Sequence, residues 1–364
     1  MKIAIVTEPL YCNYGCLLQN YALQQVLIGM GHEPVTLDFM PSLPFGRYLL
    51  YVAKNVLMFP FVSSKKKLKR YSHFLERPRS VARFVDERIV HTGMLERYSA
   101  SVLKRYSVDA VVVGSDQVWR LEYNNEYKGN LLDMYLAFAG DEYVKIAYAA
   151  SIGVEKWNYP DSLTEKCRTC IGKFSSVSVR ENSAVELCRE YLDAGAELVL
   201  DPTLLLEAGS YDVLLDSDSG GGCDKYLAVY ILDMTDGKRK FIEETAAGYN
   251  LEVRYMDGSD NCPFSVGEWL TTIKNAEYVI TDSYHGSLFS IIFGKLFVTF
   301  INPERGKDRF TTLFSRLGLE SRLYEADGLA DIGVLREPID YLSVNKCLSE
   351  MRRHSLNYIS KSLD

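Results

Sequence analysis

The residues best placed to do chemistry lie in Tyr278-Val279-Ile280-Thr281-Asp282-Ser283-Tyr284-His285-Gly286-Ser287-Leu288-Phe289-Ser290-Ile291-Ile292, where an apolar run enters a polar knot and leaves it as a second apolar run. An imidazole such as His285 moves protons near neutral pH. A helix that starts beside it turns free backbone N–H groups and a partial positive charge toward a phosphate or carboxylate. Thr281, Asp282 or Ser283 is the cap on this reading. The structural alternative is a capped helix start in which His285 only fills space.

Other polar loops share this position after an apolar run. Ser178-Val179-Arg180-Glu181 carries a guanidinium that can clamp a carboxylate or phosphate with two parallel bonds. Arg180 could instead pair with Glu181 or Glu186 at a helix start. In Gly114-Ser115-Asp116-Gln117-Val118-Trp119, Asp116 offers a carboxylate, and Ser115 and Gln117 offer directional hydrogen bonds. Asp116 could equally cap a turn. Asn13-Tyr14-Gly15 and Ala149-Ala150-Ser151-Ile152-Gly153 complete the set, their glycines allowing backbone to approach a ligand closely. Neither a phosphate-loop consensus nor its lysine is present.

The elements that would position these loops alternate between strand and helix. Ile3–Val6, Val35–Phe39, Ala110–Val113, Lys145–Ala150, Val177–Arg180 and Glu197–Leu200 read as strands of a first half, with a helix from about Leu17 to Met30. Tyr226–Leu232, Glu252–Met256, Tyr278–Thr281 and Lys295–Phe300 read as strands of a second half, with helices over about Gly237–Tyr249 and Val266–Ala276. Such alternation predicts α/β domains with parallel sheets and crossover helices, twice over. The expected division is an N-terminal Rossmann-like domain over 1–201 with a basic and apolar insertion at 41–99, and a C-terminal one over 202–340. A terminal helix within 341–364 would cross back to the first domain. In an open sheet of this kind, ligands sit at the carboxyl ends of the strands, where these loops lie.

A chain of 364 residues with a net charge of −7 is a soluble globular composition and does not suit general nucleic-acid binding. The N-terminal apolar run is too short for a signal peptide. Cys167-x-x-Cys170 has no second pair at metal-ligand spacing, so it reads as two reduced thiols and no metal or cofactor is expected. A cytoplasmic protein follows from these features. One region departs from the acidic balance: from Lys65 to Arg88, nine basic residues face three acidic ones. The apolar stretch Tyr48–Val62 before it is shorter than the ~20 residues of a spanning helix. Followed by Lys65, Lys66, Lys67, Lys69 and Arg70, it resembles a peripheral anchor on an acidic membrane surface over residues 48–70, on the inner face of the cell membrane. The structural alternative is a packed helix with a solvated basic tail.

Taken together, the loops are more specific than any one of them. Asn13-Tyr14-Gly15 with Leu18-Gln19-Asn20-Tyr21-Ala22-Leu23-Gln24, then the Val113–Trp119, Tyr148–Gly153, Ser178–Glu181, Asp201-Pro202-Thr203 and Thr281–Gly286 motifs, resemble the polysaccharide pyruvyltransferase family in the same order. The resemblance covers about Lys2 to Gly318. It implies two Rossmann-like domains facing a cleft, a GT-B-like fold, and transfer of the pyruvyl group of phosphoenolpyruvate to a sugar as a cyclic ketal. Carried over, His285 becomes a donor contact or acid/base, Arg180 the anion clamp, and Asp116 the group that accepts a sugar hydroxyl proton. Asn13, Tyr14, Gly15, Ser115, Gln117, Ser151, Ser283, Tyr284 and Gly286 line the substrate site on the same basis. The acceptor implied is a sugar of a cell-surface polysaccharide precursor, on a polyprenyl lipid if the 48–70 anchor is real.

This sequence departs from the family at one point. Some branches carry Arg-x-His, whereas Ser283 stands two residues before His285. Arg305, Lys307 and Arg309 lie beyond the next strand and are candidates to restore the charge, with Arg305 and Arg309 the preferred pair; a solvated basic loop is the alternative. The departure keeps two other functions open, a nucleotide-sugar glycosyltransferase and a non-catalytic saccharide-binding relative.

Overall fold

A computed structural model describes residues 1–39, 77–126, 130–216, 225–256, 263–301, 306–325 and 331–364, together with Leu49 and Ala53. The expected anchor over 48–70 and Arg305 therefore lie outside the described residues, those two helical positions apart. No helix among the described residues is long and apolar enough to cross a membrane.

The first domain is built on β1 (Lys2–Val6), β2 (Glu33–Thr36), β3 (Ala110–Val113), β4 (Val144–Ala150), β5 (Ser176–Val179) and β6 (Glu197–Leu198), all parallel, in the order β2-β1-β3-β4-β5-β6. Ala110-Val111-Val112-Val113 is buried at every position. That is the pattern of a strand covered on both faces, and β-branched residues suit it. The second domain contains β7 (Tyr226–Tyr230), β8 (Glu252–Tyr255), β9 (Tyr278–Thr281), β10 (Leu296–Ile301) and β11 (Leu323–Glu325), also all parallel, in the order β11-β10-β9-β7-β8. Read from its other edge this is second-first-third-fourth-fifth, the order of the first five strands of the first sheet. In both sheets the chain reverses direction between its first and third strands. A crevice opens there at the carboxyl ends, which is the position favoured for a ligand.

Five helices bear on that crevice: α1 (Tyr14–Gly29), α2 (Asn182–Leu192), α3 (Tyr284–Ile292), α4 (Asp308–Leu317) and α5 (Tyr341–Leu363). Helix α1 starts three residues earlier than its apolar spacing predicts. Asn13 caps it, accepting from the Cys16 N–H at 3.1 Å, so the expected loop is a cap and first turn. Arg309 lies in α4 and is buried rather than in a solvated loop, whereas Lys307 precedes the helix and pairs with Glu325 at 2.9 Å near the surface. Among the cysteines, Cys16, Cys167, Cys170, Cys188 and Cys347 are free, whereas Cys12 is disulfide-bonded. Burial pushes the Cys167 thiol up to about 12, which leaves it protonated and unreactive at neutral pH.

The domains pack tightly. Tyr14 stacks on Trp269 with ring centroids 5.5 Å apart, and its hydroxyl donates to the Phe264 carbonyl at 2.9 Å. On the other side of the cleft, Asp308 and Thr312 of α4 accept from the Ser183 and Asn182 N–H groups at 2.6 and 3.1 Å. The positive end of α2 is thus answered by the second domain. Helix α5 then returns to the first sheet, where the Tyr358 hydroxyl donates to the Ala147 carbonyl at 3.0 Å and Ser355 accepts from the Leu200 N–H at 2.9 Å.

Candidate active site

The centre of the site is a buried guanidinium between carboxylates from separate strand ends. Arg180, at the end of β5, donates from Nη1 to Asp201 Oδ2 at 2.5 Å and to Ser115 Oγ at 3.2 Å. Its Nη2 donates to Asp116 Oδ1 at 3.0 Å. Of the partners weighed from sequence, Glu181 makes a longer ion pair and Glu186 none. Glu181 lies 3.9 Å from Arg180 Nε, and Glu186 pairs with Arg189 instead.

Asp201 is the hub. Its Oδ1 accepts from the Thr203 N–H at 3.0 Å and the Thr203 hydroxyl at 2.8 Å, and its Oδ2 also accepts from Ser115 Oγ at 3.2 Å. Burial alone would raise its pKa, but His285 and Arg180 outweigh it and hold the carboxyl far below the ordinary range. Asp116 follows the same balance: burial opposes ionisation, and Arg180, His285 and Arg309 overcome it, so its pKa is lowered. The backbone of Asp116 adopts φ +78°, a left-handed conformation that Asp tolerates better than most residues. Its carbonyl accepts from the Ser151 N–H at 3.0 Å and its Oδ1 from the Gln117 N–H at 3.0 Å. The turn is thereby fixed with the carboxylate toward Arg180.

The second domain presents α3. Ser283 is its cap, accepting from the Gly286 N–H at 3.4 Å. Asp282 is occupied elsewhere, accepting from the Leu232 and Asp233 N–H groups at 2.6 and 3.0 Å and from Lys238 Nζ at 2.7 Å. His285 Nε2 lies 3.6 Å from Asp201 Oδ2, too far for a hydrogen bond, and is buried without another partner. Its Nδ1 faces Gly15 across the domain boundary: a Cβ at that position would lie 2.0 Å from it. Gly15 is required because α1 and the imidazole share this space. Tyr284 is buried, with the Arg180 and Arg309 guanidiniums each 5.0 Å from its ring centroid. Burial and the Arg180 charge both lower the Arg309 pKa.

The structure thus brings Ser115, Asp116, Arg180, Tyr284, His285 and Arg309 together, with Gly15, Ser151, Ser283 and Gly286 shaping the backbone around them. Asn13 and Tyr14 serve the frame as cap and interdomain packing. Gln117 Oε1 accepts from Arg120 Nη1 at 2.8 Å and lies to one side. The recess lined by Arg180, Asp201, Tyr284, Thr312 and Arg316 has free space of ≈ 10 Å³, about one water.

Two acidic residues at the centre were not singled out as site residues from sequence. Asp201 read as part of a linker; its place in an ordered motif was the available signal. Glu8 lies two residues beyond β1. It stands at the first sheet's reversal point, and its Oε1 is buried without a hydrogen-bond partner. Burial, then the Asp116 charge, pushes its carboxyl up to about 8.

Comparison with known proteins agrees with this architecture. The family model for polysaccharide pyruvyl transferase matches residues 13–304. No curated protein matches significantly. Among solved structures, a Neisseria meningitidis UDP-GlcNAc 2-epimerase bound to UDP-GlcNAc superposes with a TM-score of 0.50 at 10% identity, covering 98% of this chain and 100% of that one. A Listeria monocytogenes protein assigned as a UDP-N-acetylglucosamine 2-epimerase gives 0.50 at 11% identity, covering 99% and 94%. At such identity the likeness concerns the fold, which is GT-B-like.

Proposed function

Because the chain belongs to the polysaccharide pyruvyl transferase family, we propose that it transfers the pyruvyl unit of phosphoenolpyruvate to two hydroxyls of one sugar in a cell-surface polysaccharide precursor. The observation that carries the donor assignment is the pair of guanidiniums on Tyr284. Arg180 is already matched by Asp201 and Asp116. Arg309 is buried beside both Arg180 and Asp116, and its guanidinium is the second cation that a bound phosphate or carboxylate would meet. Arg309 supplies the charge that Ser283 does not. The acceptor's attachment to a lipid rests on residues 48–70, outside the described part of the chain.

The chemistry has a fixed balance. A proton added to the methylene carbon makes it a methyl group and leaves C2 electron-poor. One sugar hydroxyl forms a C2–O bond and loses its proton. The second hydroxyl then forms another C2–O bond and loses its proton as the C2–O–phosphate bond breaks, closing the ketal and releasing phosphate. Asp116, expected from sequence to take a hydroxyl proton, is reassigned: a carboxylate held this firmly ionised orients the hydroxyl as a hydrogen-bond acceptor but is a weak base. His285 takes the proton of the second hydroxyl and returns it to the leaving phosphate, while the proton lost by the first hydroxyl restores the acid that protonated the methylene carbon. Asp201 steadies the imidazolium formed in between.

Arg309→Gln should raise the Kd for phosphoenolpyruvate by about 10-fold or more, since a hydrogen bond to a charged group is worth roughly 1.5–3 kcal/mol. Calorimetric titration of the folded variant measures it. An unchanged Kd would remove Arg309 from the donor site.

A further inference from the structure

We infer that Glu8 is the acid that protonates the methylene carbon of the donor, a group separate from the His285 that serves the oxygen atoms. The inference rests on the donor assignment above and adds the residue it leaves unnamed. The balance demands a proton at carbon, and carbon protonation needs an undissociated acid inside the cleft.

Glu8 meets that need by position and by surroundings. It follows β1, and Asp116 follows β3; these strands are neighbours, and the sheet reverses between them. A ligand in that crevice lies between the two residues. One strand end therefore carries the ionised Asp116 and its neighbour a carboxyl that keeps its proton, environments that push the two groups apart in acidity. Among the described residues Glu8 Oε1 has no hydrogen-bond partner, and the Cys16 thiol donates to the Glu8 backbone carbonyl at 3.4 Å. A buried polar atom without a partner costs stability, and native proteins retain few of them. Among the described residues, the titratable groups acting on it are Asp116 from the β3 loop, Cys16 from the first turn of α1, and Tyr98. None of the three is cationic, so none favours its ionised form. Held up at about 8, the carboxyl still carries its proton at neutral pH.

Two consequences can be read separately. As an acid, Glu8 must be protonated, so turnover should fall as pH rises through about 8. As a carboxyl ordinarily near 4.5 and near 8 in the fold, it keeps a proton that the unfolded chain has lost between those values, so it lowers stability across that window. Glu8→Gln keeps the shape and removes both effects.

The test compares wild type with Glu8→Gln, using phosphoenolpyruvate and a mixture of methyl hexopyranosides. Glu8→Gln should bind phosphoenolpyruvate within about threefold of wild type, release phosphate at least ~10²-fold more slowly, and lose the alkaline fall. Its Tm should rise by several degrees at pH 8 and be unchanged at pH 4. Phosphate release within about threefold of wild type, an alkaline fall that persists in the variant, or an unchanged Tm at pH 8 would overturn the role of Glu8 and leave the donor assignment standing. A wild-type protein that neither binds nor consumes phosphoenolpyruvate would defeat the donor assignment, and this role with it. The wild-type pH profile and binding data do not depend on the variant folding.

Discussion

Arg180→Ala should destabilise the protein by about 3–5 kcal/mol at pH 7, the usual cost of removing one partner from a buried ion pair. The guanidinium is fully enclosed and holds Asp201 and Asp116 together; without it, two buried carboxylates face each other without the cation that hydrogen-bonds to both. The effect should depend on pH in a definite direction. Both carboxyls have folded pKa values below the ordinary 3.8, so in wild type their contribution is present above that value and is lost as pH falls through the depressed ones. In Arg180→Ala the unpaired groups take up protons readily, so the deficit should be largest near neutrality and shrink toward pH 4 and below. Urea denaturation at several pH values measures this. A change of less than ~1 kcal/mol at pH 7 would mean that the network in the cleft is not a structural hub.

His285→Ala should lower turnover by about 10²- to 10⁴-fold, the range of a positioned acid–base group. Stability should fall as well, because the buried imidazole fills the space facing Gly15 and helps to hold Asp201 ionised. The loss should fall mainly on kcat, since donor charge is held by arginine and by the start of α3. Steady-state kinetics on the folded variant decide the matter. Turnover close to wild type would remove His285 from the reaction.

These two predictions rest on different kinds of legibility. The strands were readable because parallel sheets bury both faces: Tyr278–Thr281 and Ala110–Val113 are continuous apolar runs and appear in the structure as strands over those residues. The start of α1 was not. Asn13 and Gly15 have poor helix propensity, yet Asn13 is the cap and Gly15 is where His285 needs room. His285 stood out because a polar knot between two apolar runs is visible locally. The partners of Arg180 were not visible, since Asp116 and Asp201 lie 64 and 21 residues away in sequence. Glutamates one and six residues away were nearer in sequence but not in space. Arg309 looked like part of a basic loop because the sequence from Arg305 to Arg309 has no apolar rhythm; the amphipathic pattern of α4 begins just after it. Glu8 gave no signal at all, because its character comes from burial and from a neighbour on another strand.

Donor identity is read from the thermal midpoint of the purified chain titrated with phosphoenolpyruvate and, separately, with UDP-N-acetylglucosamine. Binding to the folded state alone raises Tm as ligand concentration rises above Kd. The account predicts a saturable rise with phosphoenolpyruvate that Arg309→Gln weakens, and no comparable rise with the nucleotide sugar. A rise with UDP-N-acetylglucosamine and none with phosphoenolpyruvate would contradict it and return the cleft to nucleotide-sugar chemistry.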